Sequence, residues 1–305
     1  WWKDNPDCKV PFAVNSNLGQ KKKLLDALID ASHNIKKFSI YSSCEAVGLQ
    51  AEYIRHGLDW SVWLKNMYRI NKEANLESVN VMMTINSLCL FSITEFMDEM
   101  MQLKKVFGPH AAVMSFNILR FPSFQSIVTL PTNIRLERAA VIEKWVNDHW
   151  NEGSNGFLDI ERDGLLRLIE YIRKVDTGHE FTSSLETRER DFKSFYQQYD
   201  KRRGKDFLKA FPELRAWYES IPDTNLTPLI KAIDGDDAKS NKYVAGVLQQ
   251  AKDEGWVLNP QWTNPGSKGY IEPDEQQQDD MIDLIADLQK GRKKVSEVNK
   301  GKTAI

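Results

Sequence analysis

The segment Cys44-Glu45-Ala46-Val47-Gly48-Leu49-Gln50-Ala51-Glu52-Tyr53-Ile54-Arg55-His56-Gly57 gathers several ionisable groups directly after a short apolar run. Loops of this kind often carry function. Arg55 offers a planar fork that can grip a carboxylate through two parallel hydrogen bonds. Glu45 can accept from an amine or from ribose hydroxyls. A plainer alternative pairs Arg55 with Glu52 on an exposed helix face, an i, i+3 contact worth about 0.3–0.5 kcal/mol. Residue type and spacing leave both readings open.

Small polar residues make a second set. Asn15 and Asn17, Ser42 and Ser43, Thr84 and Asn86, and Asn117 follow or end strand-like runs. In α/β folds, ligands bind at the carboxyl ends of strands. Asn and Ser also start turns, but their recurrence at four strand ends favours one shared pocket. The cysteines Cys8, Cys44 and Cys89 are too scattered for a disulfide framework. Cys89 lies among Leu88, Leu90 and Phe91 and reads as a small core residue; the role of Cys44 stays open. The five histidines lack metal-ligand spacing such as HExxH, and no glycine-rich phosphate loop is present.

The elements that must position these residues follow from periodicity. Val10–Val14, Phe38–Tyr41, Val79–Ile85 and Ala111–Phe116 read as strands. Leu24, Leu25, Leu28 and Ile29 mark a helix after Gly19, and Trp60, Trp63, Leu64 and Met67 mark another. Ser92-Ile93-Thr94-Glu95 has the form of a capping box, ahead of a helix burying Phe96, Met97, Met100, Leu103 and Phe107. Four strand–helix units in a row predict a parallel sheet, either open or closed as a barrel. Residues 133–221 read as helical, with one stripe at Leu136, Ala139, Ala140, Trp145 and Val146 and another at Leu165, Leu168, Ile169 and Ile172. From position 222 acidic and basic blocks alternate, and 222–305 read as a weakly structured appendage with one short amphipathic stretch at Met281–Leu288.

Several stretches taken in order resemble the radical S-adenosylmethionine (SAM) enzymes, and most closely the twitch-domain-containing group. They are Val14-Asn15-Ser16-Asn17-Leu18-Gly19, Ile40-Tyr41-Ser42-Ser43-Cys44-Glu45-Ala46, Ala51-Glu52-Tyr53-Ile54-Arg55-His56-Gly57, Thr84-Ile85-Asn86, Phe116-Asn117-Ile118-Leu119-Arg120-Phe121-Pro122 and Tyr199-Asp200-Lys201-Arg202-Arg203-Gly204-Lys205. The resemblance covers roughly residues 1–220. It implies a partial (β/α) barrel over 1–132, holding the later strands only, followed by a mainly helical C-terminal region. It implies SAM as cofactor, with Asn15 and Asn17 near it, Ser42 and Ser43 at its methionyl part, Arg55 at its carboxylate, Thr84 and Asn86 near the ribose, and Asn117 near the adenosyl group. It also implies a 4Fe–4S cluster, an electron donor, and hydrogen abstraction from an unknown peptide or small-molecule substrate by a 5′-deoxyadenosyl radical.

The chain departs from the family where the cluster is held. The CxxxCxxC motif is absent, as is the glycine-glutamate-proline motif. With Trp1 in first place, the expectation is a sequence cut after the cluster loop, with cluster ligands outside this chain. The competing reading is a non-catalytic barrel-like binding or scaffold protein. A formal net charge of −2 over 305 residues makes no electrostatic case for nucleic acid or an acidic membrane. No apolar run has spanning length, and the few scattered cysteines lead to the expectation of a reducing, cytoplasmic setting.

Overall fold

Each of the four apolar runs becomes a strand. The computed structural model describes residues 1–19, 22–150, 156–174 and 183–222. Its strands are β1 (Phe12–Asn15), β2 (Phe38–Ser43), β3 (Ser78–Ile85) and β4 (Val113–Ile118). They form one parallel sheet in chain order, β1-β2-β3-β4. The crossovers carry α1 (Lys22–Ser32), α2 (Gly48–Ile54), α3 (Trp60–Glu73) and α4 (Ile93–Phe107), as parallel pairing requires. The protein is therefore α/β.

The two faces of the sheet differ. Phe38, Ile40 and Ser42 of β2 and Val79, Val81, Met83 and Ile85 of β3 are buried. Alternation puts each set on one face, where the apolar members join Trp63 and Met67 of α3 and Phe96, Met97 and Met100 of α4 in one core. The other face carries Asn15, Ser39, Tyr41, Ser43, Ser78, Asn80, Thr84, Ser115 and Asn117, all half-buried or exposed. Parallel strands are usually apolar on both faces, because helices cover both. Here one face is polar.

The edges differ too. Phe12 and Ser16 donate their amides to Lys37 and Tyr41 carbonyls, so the Ala13 and Asn15 backbone groups point outward from β1. Trp1, Val10 and Phe12 are exposed beside them. The opposite edge, β4, lies against α6 (Asp159–Arg173). Gly164 of α6 lets the helix come close: a Cβ there would stand 2.9 Å from the Phe116 ring.

A local side-chain cap starts α3, but not α4. The Asp59 side chain accepts from the Val62 amide and caps α3. Ser92 stands at the N-cap of α4, yet the expected capping box does not form. Its hydroxyl accepts from the Val47 amide at 3.3 Å instead. Val47 is the N-cap residue of α2, so Ser92 ties two helix starts together.

The helical part continues with α5 (Thr132–His149), α6 and α7 (Leu185–Arg203), then short helices at Phe207–Ala210 and Arg215–Ser220. Leu165, Leu168, Ile169 and Ile172 are buried as expected. The stripe on α5 is shifted: Leu136 is exposed and Arg135 is buried. Arg135 holds that inward place by donating to the carbonyls of Leu130, Ile172 and Lys174. Sheet and helices belong to one compact unit, Trp1–Thr224. Residues 223–305, with the amphipathic stretch read at Met281–Leu288, lie outside the described residues. Among the described residues no helix is long and apolar enough to cross a membrane.

Candidate functional site

Register and alternation decide which strand-end residues meet. Asn15 sits beside Tyr41, and Tyr41 beside Asn80. Ser43 sits beside Met82, and Met82 beside Ser115. Thr84 sits beside Asn117. These three rows lie on the polar face and step toward its carboxyl end. Four of the residues singled out from the sequence, Asn15, Ser43, Thr84 and Asn117, are thus on one surface. Their neighbours Tyr41, Asn80 and Ser115 were missed. Period-two alternation counted back from Ser43, Thr84 and Asn117 is the signal that finds them. Hydrogen bonds run across and along the strands of this face: Ser78 donates to Ser39 between β3 and β2, Asn80 to Ser78 along β3, and Asn117 to Ser115 along β4.

Three of the residues read as site candidates serve the backbone or the core. Ser42 points to the opposite face, is fully buried, and accepts from the Trp63 indole at 3.0 Å. Asn17 accepts from the Gly19 amide and shapes the turn after β1. Asn86 accepts from the Leu88 amide in the turn after β3. Ser42→Ala should leave the Trp63 indole unpaired in the core. We expect a loss of roughly 1–3 kcal/mol in urea unfolding, whereas Ser43→Ala should leave stability nearly unchanged. Equal losses from the two substitutions would contradict this facing.

The loop after β2 forms an ion pair that spacing had left undecided. Arg55 does not pair with Glu52. Its Nε and Nη2 both donate to Glu45 Oε2, at 3.1 and 2.5 Å. Glu52 instead accepts from the Trp60 amide at the start of α3. The Glu45 side chain is 2% exposed and that of Arg55 29%. Burial pushes the Glu45 carboxyl above the ordinary carboxylate range, while the charge and hydrogen bonds of Arg55 and the Thr84 backbone pull it back. A guanidinium has five N–H donors, and Glu45 takes two. Glu45 is therefore the anchor of this pair, and Arg55 is the member that reaches solvent.

The same corner holds two thiols. Cys44 and Cys89 are both buried. Burial first, and then the negative charge of Glu45, push the Cys44 thiol up to about 12 and the Cys89 thiol well above its usual value. Burial in this corner disfavours the thiolate form of both. Among the described residues no group of three histidine, cysteine or carboxylate side chains could hold a metal ion. Ser87, directly after Asn86, is fully buried, and its hydroxyl has no partner among the described residues.

The corner can thus hold the carboxylate of a ligand at Arg55 and hydrogen-bond neutral polar groups along the sheet. No protein-family model, curated protein or solved structure matches the chain.

Proposed function

We propose that this chain is the later part of a radical SAM barrel, and that its polar sheet face is the barrel interior where SAM lies. One observation carries the reading. Asn15, Ser43, Thr84 and Asn117 fall on one polar face of a parallel sheet, at strand carboxyl ends, with Arg55 at the corner. In this assignment Arg55 takes the ligand carboxylate, Ser43 the methionyl end, Thr84 the ribose side, and Asn117 the adenosyl side. Glu45 positions Arg55 and does not itself meet the ligand.

When bound beside a reduced iron–sulfur cluster, SAM supplies a carbon radical that removes hydrogen from a substrate. The cysteines here do not fit that cluster, since Cys44 and Cys89 are two buried thiols with no third ligand grouped with them among the described residues. The reading therefore assigns this chain the binding and shielding of SAM, with cluster ligands and an electron donor from elsewhere, in a cytoplasmic enzyme. The same buried thiols favour a second reading, a binding or scaffold protein with the same fold and no cluster of its own.

The test is calorimetric titration of SAM into the full chain. Saturable binding is expected. Ser43→Ala and Asn117→Ala should each weaken it by roughly 3- to 10-fold, the value of one neutral hydrogen bond. Absence of binding, or binding indifferent to both substitutions, would sink the assignment.

A further inference from the structure

The outer edge of β4 is closed over one half and open over the other. Ser115 and Asn117 lie on the β3 side, since the next odd residue, Leu119, donates to Ile85 there. Met114 points its amide outward, where Glu161 Oε1 accepts it at 2.7 Å. By the same alternation Phe116 and Ile118 present N–H and C=O outward. These groups meet no backbone partner among the described residues. They lie in a groove of about 1190 Å³ between β4, α5 and α6.

The walls of this groove are charged. Arg120, Arg167, Arg173 and Lys174 line it, against Glu143 and Glu170. Arg173 pairs with Glu143 at 2.7 Å. Arg120 and Lys174 stand 5.6 and 5.9 Å from the centre of the Tyr171 ring. The groove is net positive in a chain whose formal net charge is −2.

We propose that this groove binds a short, extended, acidic peptide segment, which adds to β4 as a strand at Phe116 and Ile118. Strand addition draws its affinity from main-chain bonds and its selectivity from alternate side chains. The main-chain part is in place as two outward donor–acceptor pairs at strand spacing, and the cations that line the groove favour acidic side chains. A lone phosphate would use the cations but leave the two outward carbonyls unmet. The inference uses neither Arg55 nor Ser43 and stands apart from the cofactor reading.

The test is fluorescence anisotropy on the full chain, without SAM. The probe is a labelled hexapeptide of alternating Glu and Val. Controls are its Lys–Val counterpart and an acidic version with alternate amides N-methylated. The acidic peptide should bind, weakening with salt, and both controls should fail. Arg167→Glu combined with Lys174→Glu should weaken binding at least roughly 10-fold, as loss of two charge-assisted contacts implies, with an unchanged circular dichroism spectrum. Hydrogen exchange at the Phe116 and Ile118 amides should slow when the unaltered chain is loaded. Equal binding of the lysine or N-methylated peptide, displacement by millimolar inorganic phosphate, or unprotected amides would overturn the proposal.

Discussion

Glu161→Ala is expected to lower the unfolding free energy by about 3–5 kcal/mol, the cost of breaking a buried ion pair from one side. Glu161 and Lys104 are both fully buried in their side chains. Lys104 Nζ donates to each carboxylate oxygen at 2.6 Å and to the Gly156 carbonyl at 3.0 Å. Glu161 also accepts from the amides of Met114 and Leu158, at 2.7 and 2.8 Å. One carboxylate thus joins α4, the edge of β4 and the start of α6. Removing it strands an ammonium and two amides away from water. Burial holds the Lys104 ammonium below its usual range, with Glu161 opposing that shift. Lys104→Met combined with Glu161→Gln removes both charges and keeps an acceptor for one amide, so it should cost less than Glu161→Ala alone. Urea denaturation followed by circular dichroism measures both. A loss below about 1 kcal/mol for Glu161→Ala would show that the site relaxes or hydrates.

The second large effect lies at Arg55. Arg55→Ala leaves Glu45 buried without its counter-charge. Two consequences follow, and they can be separated. The fold should become pH-sensitive: with Arg55 gone, the carboxyl pKa rises further above its unfolded value. A raised carboxyl pKa means stability that is present at low pH and lost as pH climbs through the folded-state value. Arg55→Ala should therefore lose stability as pH rises above the ordinary carboxylate range, in the direction that linkage sets. The unaltered chain should change less over the same rise. Glu45→Gln added to Arg55→Ala should abolish the slope. SAM affinity should behave differently. It should fall at least roughly 10-fold in Arg55→Lys, which keeps the charge and loses the fork, and Glu45→Gln should not restore it. Full SAM affinity in Arg55→Lys would remove Arg55 from the binding role and leave it as the partner of Glu45.

The sequence carried the strands well, because period-two runs such as Val79–Ile85 fix both the element and its buried face, while their order in the sheet came from the structure. It carried Asn15, Ser43, Thr84 and Asn117 as far as their strand ends, and strand register then placed them together. Ser42 shows what adjacency in sequence hides. Ser42 and Ser43 read alike, but successive residues of a strand face opposite ways: alternation from Phe38 and Ile40 turns Ser42 inward, and the Trp63 indole meets it there. The choice of Glu45 over Glu52 was out of reach for a related reason: a loop residue's partner depends on how the chain folds back, which spacing along a helix does not encode. Ser92 was a good capping signal that a distant amide, Val47, captured. Arg135 took a core place that an apolar stripe had assigned to Leu136, because three carbonyls converged there to meet it.

The contrast between the two sheet edges limits how copies of this protein can associate. The outward groups of β1, at Ala13 and Asn15, are backed by exposed Trp1, Val10 and Phe12, a combination that invites pairing with another strand. The far edge is blocked to a full-length strand, because α6 lies against it and Glu161 already holds the Met114 amide. Ribbon growth needs two available edges on every copy. Copies that meet through β1 on both sides do so across a two-fold axis, and each uses up the other's β1 edge. Association through β1 on both copies therefore ends at a pair, whereas the four-residue β1 of one copy set against the open half of β4 on another would have to compete for Phe116 and Ile118 with an acidic peptide.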